Sequence, residues 1–239
     1  MLETERFILR PWRDADAATL FRWASDPRVG PPANWAPYVS IEHARETLHA
    51  VYCVPDTFAI CMKRPEEFDA ATISRIEGAA DFGDMTRGFS GRAFLRERKK
   101  VASAPLNPIG SIRFVKPDHA NCSIEDNDRE MGIWLAAPFW GFGIAPEVAG
   151  AMLRYGFGER GLSAIWVCNF VENATSARAK DKLGFEFVRL EEATNPVTGV
   201  VRTQQVSVLT KKLVGKHAEG NRVNRLIRKS LCSSAPRKE

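Results

Sequence analysis

Two glycines, Gly141 and Gly143, stand between a strand-like run, Glu130 to Leu135, and a helix-like run from Pro146 to Phe157. Glycine accepts dihedrals that other residues resist and lets a ligand approach the backbone closely. The first N–H groups of the following helix lack intrahelical partners, point into such a turn and favour an anion there. Pro146 has no N–H to offer and suits the first helical turn. Trp140, Gly141, Phe142, Gly143, Ile144 and Ala145 therefore form a candidate phosphate cradle. It is not a Walker loop, because no Gly-Lys-Ser or Gly-Lys-Thr follows. It is not a good dinucleotide fingerprint either, which would need Gly or Ala where Pro146 stands. Spacing alone leaves a purely structural strand-to-helix corner open as the other reading.

Further along come Asn173 and Ser176, then Leu183, Gly184 and Phe185. Together the two stretches resemble the GNAT acetyltransferase superfamily, in particular its Rim-like branch of protein N-terminal acetyltransferases. That family carries Gln/Arg-x-x-Gly-x-Gly/Ala at its pyrophosphate loop. Trp140, Gly143 and Ala145 stand at those places, with Trp140 departing from the usual Gln or Arg. The family's Asn-x-x-Ser run ending in Leu-Gly-Phe is matched by Asn173, Ser176, Leu183, Gly184 and Phe185. The opening, Phe7 to Arg10 with Pro11 and then Ser25-Asp26-Pro27, is also similar to the Rim-like one. The resemblance covers residues 5–62 and 108–212.

The resemblance implies acetyl-coenzyme A as donor and a direct attack by an amine on its thioester, with no protein nucleophile. The strand Glu130–Leu135 and its parallel partner Ala164–Cys168 would splay apart, with pantetheine in the gap. The diphosphate would meet the N–H groups of Trp140 to Ala145, Asn173 would bond the pantetheine arm, and an N–H near Leu135 would polarise the carbonyl. Glu130, at the start of the central strand, is the candidate base, with Asp128 in reserve; a solvent-facing strand acid is the plain alternative. Ser176 is the candidate acid for the leaving thiolate, or else merely bonds the first turn of its helix. The nearest tyrosine, Tyr155, lies on the loop helix. Trp35 and Tyr38 line the acceptor pocket or serve only as packing aromatics. An α-amine of pKa ~8 is about 10% neutral at pH 7 and needs far less help than a lysine of pKa ~10.4.

The elements that must position these residues are legible in outline. A strand at Phe7–Arg10 precedes a helix opened by Asp14 and Asp16; Ser40 caps a second helix running to Tyr52; Thr57–Met62 and Ile109–Val115 are strands. Asn173 caps a helix ending at Leu183, and two last strands cover Phe185–Leu190 and Arg202–Leu213. The sum is one mixed α/β domain over residues 1–213: about seven strands in a mostly antiparallel sheet, about four helices and a splayed central parallel pair. Residues 63–108 show no period and read as a disordered or loosely structured insertion; a substrate-gripping lid is the alternative.

The chain has 239 residues, 44% of them apolar, enough for a proper core. Its net charge of +5 comes wholly from residues 215–239, where seven basic residues face two acids. Residues 214–239 thus read as a basic disordered tail, capable at most of weak electrostatic contact with nucleic acid. Five scattered cysteines without Cys-x-x-Cys spacing suit a reducing compartment, and four histidines that do not converge argue against a metal centre. With no signal peptide and no membrane-length apolar run, the expected place is the cytoplasm, as monomer or homodimer. Three functions compete: acetylation of a protein or peptide α-amine, acetylation of a small amine, and a non-catalytic coenzyme A-binding or interaction module. An acidic pocket would favour a cationic small amine; an open, weakly charged groove would favour a peptide.

Overall fold

The computed structural model describes residues 1–64, 107–122, 124–195 and 199–217. Most of the expected insertion, 63–108, and most of the basic tail, 214–239, lie outside the described residues. Eight strands form one sheet: β1 (Leu2–Glu3), β2 (Phe7–Pro11), β3 (Thr57–Met62), β4 (Pro108–Val115), β5 (Arg129–Leu135), β6 (Ala164–Phe170), β7 (Glu186–Thr194) and β8 (Val201–Thr210). Their spatial order is β1-β2-β3-β4-β5-β6-β8-β7. Every neighbouring pair is antiparallel except β5 and β6. The strand beyond the expected seven is β1, whose two residues pair with Leu9 and Ile8.

The helices are α1 (Ala17–Ala24), α2 (Ile41–Thr47), α3 (Ile144–Arg154), α4 (Ala174–Leu183) and α5 (Lys211–His217). Ser40 caps α2 by accepting the His43 N–H at 3.1 Å, and a π-turn carries that helix on to Tyr52. α3 begins two residues earlier than expected, because Gly143, at φ 70°, is its N-cap. The last strand stops at Thr210 rather than Leu213. There the Thr210 hydroxyl accepts the Leu213 N–H at 3.2 Å and opens α5.

The sheet has a core on each face. α3 and α4 pack Ile144, Val148, Met152, Leu153 and Leu183 against Phe7, Ile112, Phe114, Met131 and Ile165. On the other face α1 and α2 pack Leu20, Ala44 and Leu48 with Trp12, Tyr38 and Tyr52. Arg10 holds α1 to β2 through a bidentate pair with Asp16, at 2.7 and 2.8 Å. Both side chains are buried, so Asp16 does more than sit favourably at a helix start: it ties the start of α1 to the sheet.

Candidate functional site

The parallel ladder between β5 and β6 runs only through Arg129↔Ile165 and Glu130↔Trp166, so beyond Glu130 the two strands part. The Ala136 N–H donates to the Ile109 carbonyl at 2.9 Å, which turns the main chain of even-numbered β5 residues toward β4. By alternation, Met131, Ile133 and Leu135 present their main-chain groups to the gap. From Glu130 at its vertex to Leu135 at its mouth the gap spans about 17 Å, at ~3.3 Å per residue. Because the strands are parallel, both helix starts lie at the same edge, α3 after the glycine turn and α4 after Asn173.

The turn at that mouth is built for an anion. Gly141 has φ 88° and Gly143 φ 70°, left-handed dihedrals that favour glycine. Gly143, Ile144 and Ala145 are N-cap, N1 and N2 of α3, positions whose N–H groups have no carbonyl of their own helix to bond. The Ile144 side chain packs inward, into the core beneath the turn. Trp140 behaves differently. Its N–H is taken by the Ala137 carbonyl at 3.2 Å, and its half-exposed indole donates to the Leu135 carbonyl at 2.8 Å. The amides at the cradle are thus those from Gly141 to Ala145, and the indole rests at the gap mouth where the family's Gln or Arg would stand.

A side chain that sequence reading missed fastens this turn. Arg6 donates to the Phe142 carbonyl at 3.1 Å, and its Nε and backbone N–H donate to the two oxygens of Glu147 at 2.7 and 3.0 Å. Although Glu147 is partly desolvated, the Thr4 and Arg6 bonds hold its carboxyl below the usual range. The pin joins residues 141 apart in sequence, a separation no local pattern can report.

Asn173 spends its Oδ1 on the Ser176 N–H at 3.0 Å, as the cap the spacing predicts. The Ser176 hydroxyl has no hydrogen-bond partner among the described residues, so it does not bond its own first turn. Tyr155 lies at the far end of α3 and donates to Asp56 at 2.6 Å, away from the turn.

Glu130 is not a solvent-facing strand acid. It is 3% exposed and accepts from the Asn121 N–H at 2.5 Å and the Asn121 side-chain amide at 2.9 Å. Burial pushes its carboxyl up, against the pull of Asn121 and Arg113. The thiols of Cys122 and Cys168 crowd it: their sulfurs and a Glu130 oxygen lie within 4.8 Å of one another. A hydrogen bond with Cys122 and burial push the Cys168 thiol far up, so this neighbour stays an uncharged S–H. Asp128 accepts the Trp166 indole N–H at 2.8 Å and is already engaged.

The side chains of Glu130 and Trp134, with the bare position Gly132 between them, share the α1/α2 face of the sheet. Here Trp35 meets Trp134 edge-on at 6.1 Å and Tyr38 at 5.4 Å, and the Trp134 indole donates to the Tyr52 hydroxyl at 3.1 Å. Burial pushes both tyrosine hydroxyls up and keeps them neutral. Trp35 and Tyr38 are thus brought together beside the central strand, where Tyr38 is buried and Trp35 packs half-buried against it. The connection carrying them touches the β7–β8 loop: Asn195 donates to Asn34 at 3.1 Å and Arg202 to the Pro31 carbonyl at 3.1 Å.

Comparison with known proteins agrees with this geometry. The family model described as acetyltransferase (GNAT) domain matches residues 6–186. An uncharacterized N-acetyltransferase, YoaA of Bacillus subtilis, is 27% identical over 186 residues, 78% of this chain and 82% of that protein. A GNAT-family acetyltransferase from Bacillus anthracis superposes with a TM-score of 0.63 at 17% identity, covering 89% of this chain and 99% of that one. Spermidine N-acetyltransferase from Vibrio cholerae, solved with CoA and spermine, gives a TM-score of 0.57 at 13% identity, covering 86% and 96%. At such identities the structural matches speak for the fold alone. No helix among the described residues is long and apolar enough to cross a membrane.

Proposed function

Because the chain belongs to the GNAT acetyltransferase family, we propose that it moves an acetyl group from acetyl-coenzyme A to the α-amine of a protein or peptide, as in the Rim-like branch. The observation that carries this reading is the β5–β6 gap, with its glycine turn at the mouth and Glu130 at the vertex. The diphosphate rests on the amides from Gly141 to Ala145. The pantetheine arm then runs toward Glu130, pairing with the gap-facing main chain of Leu135. We assign the carbonyl-polarising N–H to Ile133, the next gap-facing residue toward the vertex, while the Trp140 indole holds the Leu135 carbonyl at the mouth. Glu130, with its carboxyl raised toward neutrality, takes the proton of the incoming ammonium, directly or through one water.

Two features favour a peptide α-amine over a polyamine. The wall that Trp35, Tyr38 and Trp134 form is aromatic, and β5 brings to it one carboxylate, Glu130, where a polyamine with several charges calls for more than one. The four described cysteines are free, which fits a reducing, cytoplasmic setting.

The test is thiol release from acetyl-coenzyme A against an amine panel of short peptides, lysine derivatives and polyamines. Turnover should be highest with free peptide N-termini; exclusive turnover of spermidine would replace this reading, and coenzyme A binding without turnover on any amine would reduce the protein to a binding module. Ser176 stands beyond the β6 end of the gap with its hydroxyl uncommitted, and two roles for it predict different kinetics. As acid for the thiolate, Ser176→Ala lowers kcat by about 10–100-fold. As a contact to the arm, it raises KM for acetyl-coenzyme A and leaves kcat unchanged. Activity unchanged in both constants removes Ser176 from the site.

A further inference from the structure

Arg113 is the unassigned charge on the acceptor face. It sits on β4 directly across from Gly132 of β5, one residue pair from where β5 and β6 part. Gly132 offers no side chain, and the arginine stem lies over it: a Cβ there would be 3.8 Å from Arg113 Cγ and 3.9 Å from Nε. Glu130 and Trp134 flank that bare position on the same face of β5. The half-buried guanidinium has no hydrogen-bond or ion-pair partner among the described residues. Its charge nevertheless reaches the hydroxyls of Tyr38 and Tyr52 and the carboxyl of Glu130, which places it between the aromatic wall and the base.

A half-buried arginine with five donors and no carboxylate in direct contact, Glu130 acting on it only at a distance, is costly unless something else supplies the anion. The proposed acetyl carrier does not supply it, because its diphosphate is seated at the other end of the gap. We propose that Arg113 binds a carboxylate of the acceptor, so that the amine acetylated belongs to a molecule carrying a carboxylate close to its α-amine. Either an acidic first residue of a peptide or the carboxylate of a free amino acid meets that description. A guanidinium matches a carboxylate with two parallel N–H···O bonds and so also fixes the direction from which the neighbouring amine approaches the thioester. The same cation repels a polyamine. This inference rests on the acetyltransferase reading and narrows its acceptor.

The experiment compares kcat/KM for matched pairs: aspartyl-dialanine amide against asparaginyl-dialanine amide, and free glutamate against glutamate diamide. The wild-type enzyme should prefer the carboxylate member by about 10–100-fold, the scale of one charge-assisted pair. The peptide pair and the amino-acid pair show which source of carboxylate fits. Arg113→Gln should reduce the preference to within about 3-fold with the acetyl-coenzyme A affinity unchanged; because Arg113 also holds the Glu130 carboxyl down, any loss through the base falls equally on both members and cancels in their ratio. Arg113→Glu should turn the preference toward spermidine. Equal rates on both members of each pair, or an Arg113→Gln loss of the same size on both, would overturn the inference; the second result would make Arg113 a carbonyl-polarising group instead. Titration of the same ligands into the coenzyme A-loaded protein keeps the two ideas separable. Arg113-dependent binding of the carboxylate member without turnover sinks the acetyltransferase reading and leaves the anion site standing.

Discussion

Gly141→Asp should cost the protein about 100-fold in affinity for acetyl-coenzyme A while leaving its melting temperature equal to that of Gly141→Asn. The argument separates strain from charge. Gly141 has φ 88°, and a Cβ there meets nothing within 4 Å, so either side chain fits without a clash. Asn and Asp tolerate the left-handed region better than other non-glycine residues, and both impose the same backbone cost. They differ only in a negative charge set into the turn that receives the diphosphate. At ~6 Å and an effective dielectric near ~20, one pair of like charges is worth about 3 kcal/mol, or roughly two orders of magnitude in binding. Calorimetry with acetyl-coenzyme A measures the difference directly. Equal affinities for the two variants would mean that the diphosphate does not sit on these amides, and the proposed geometry would lose its anchor.

What could be read from the sequence shares one property: it is local. The glycine turn, the Asn173 cap, the Ser40 cap and the helices beside them follow from residue types a few positions apart, and the structure has each of them. The splayed strand pair was reached through family resemblance, because a ladder that stops after Glu130↔Trp166 leaves no mark on hydrophobic alternation. Long-range partners were out of reach. Arg6 pins a turn 136 residues away, and the Trp134 indole reaches Tyr52 across 82 residues. Arg113 stands inside the strand from Ile109 to Val115, and only pairing across to Gly132 reveals what it lies over. Trp140 is the instructive local failure. Its Leu135 partner is five residues away, but no propensity rule foretells that an indole folds back onto a strand end.

These two classes of residue divide the labour. In the proposed reading the locally encoded turn and caps bind the carrier, which the family shares. The long-range placements of Arg113, Tyr52 and Trp134 then shape the proposed acceptor face, which must differ wherever the amine differs. This division also explains why structural neighbours at 13–17% identity share the architecture without fixing the acceptor.

Glu130→Gln should lower kcat/KM by about 100-fold at neutral pH and yet make the protein harder to unfold. Burial raises the Glu130 carboxyl, so its ionised form is disfavoured in the folded state relative to the unfolded one. The folded chain then binds more protons than the unfolded chain between the ordinary carboxylate pKa and the raised one. Stability due to this group is full below the ordinary value and is lost as pH rises through the raised one. Above the raised pKa the wild type carries a buried charge that glutamine does not, and there the variant should melt higher, by about 2–4 °C for each kcal/mol relieved. Activity moves the opposite way. The base works only when ionised, so wild-type kcat/KM should fall on acidification through a pKa above that of an ordinary glutamate, and the variant should lack this limb. The deficit should shrink above pH ~8, where an α-amine is largely neutral without assistance. Two measurements on one variant, a pH–rate profile and a melting curve, thus test whether the site trades stability for a base. The variant keeps only the amine's own limb near pH ~8; a lower-pH limb at the wild-type position that persists in Glu130→Gln would assign the proton to another group. A lower melting temperature would mean that the Asn121 bonds, at 2.5 and 2.9 Å, outweigh the buried charge.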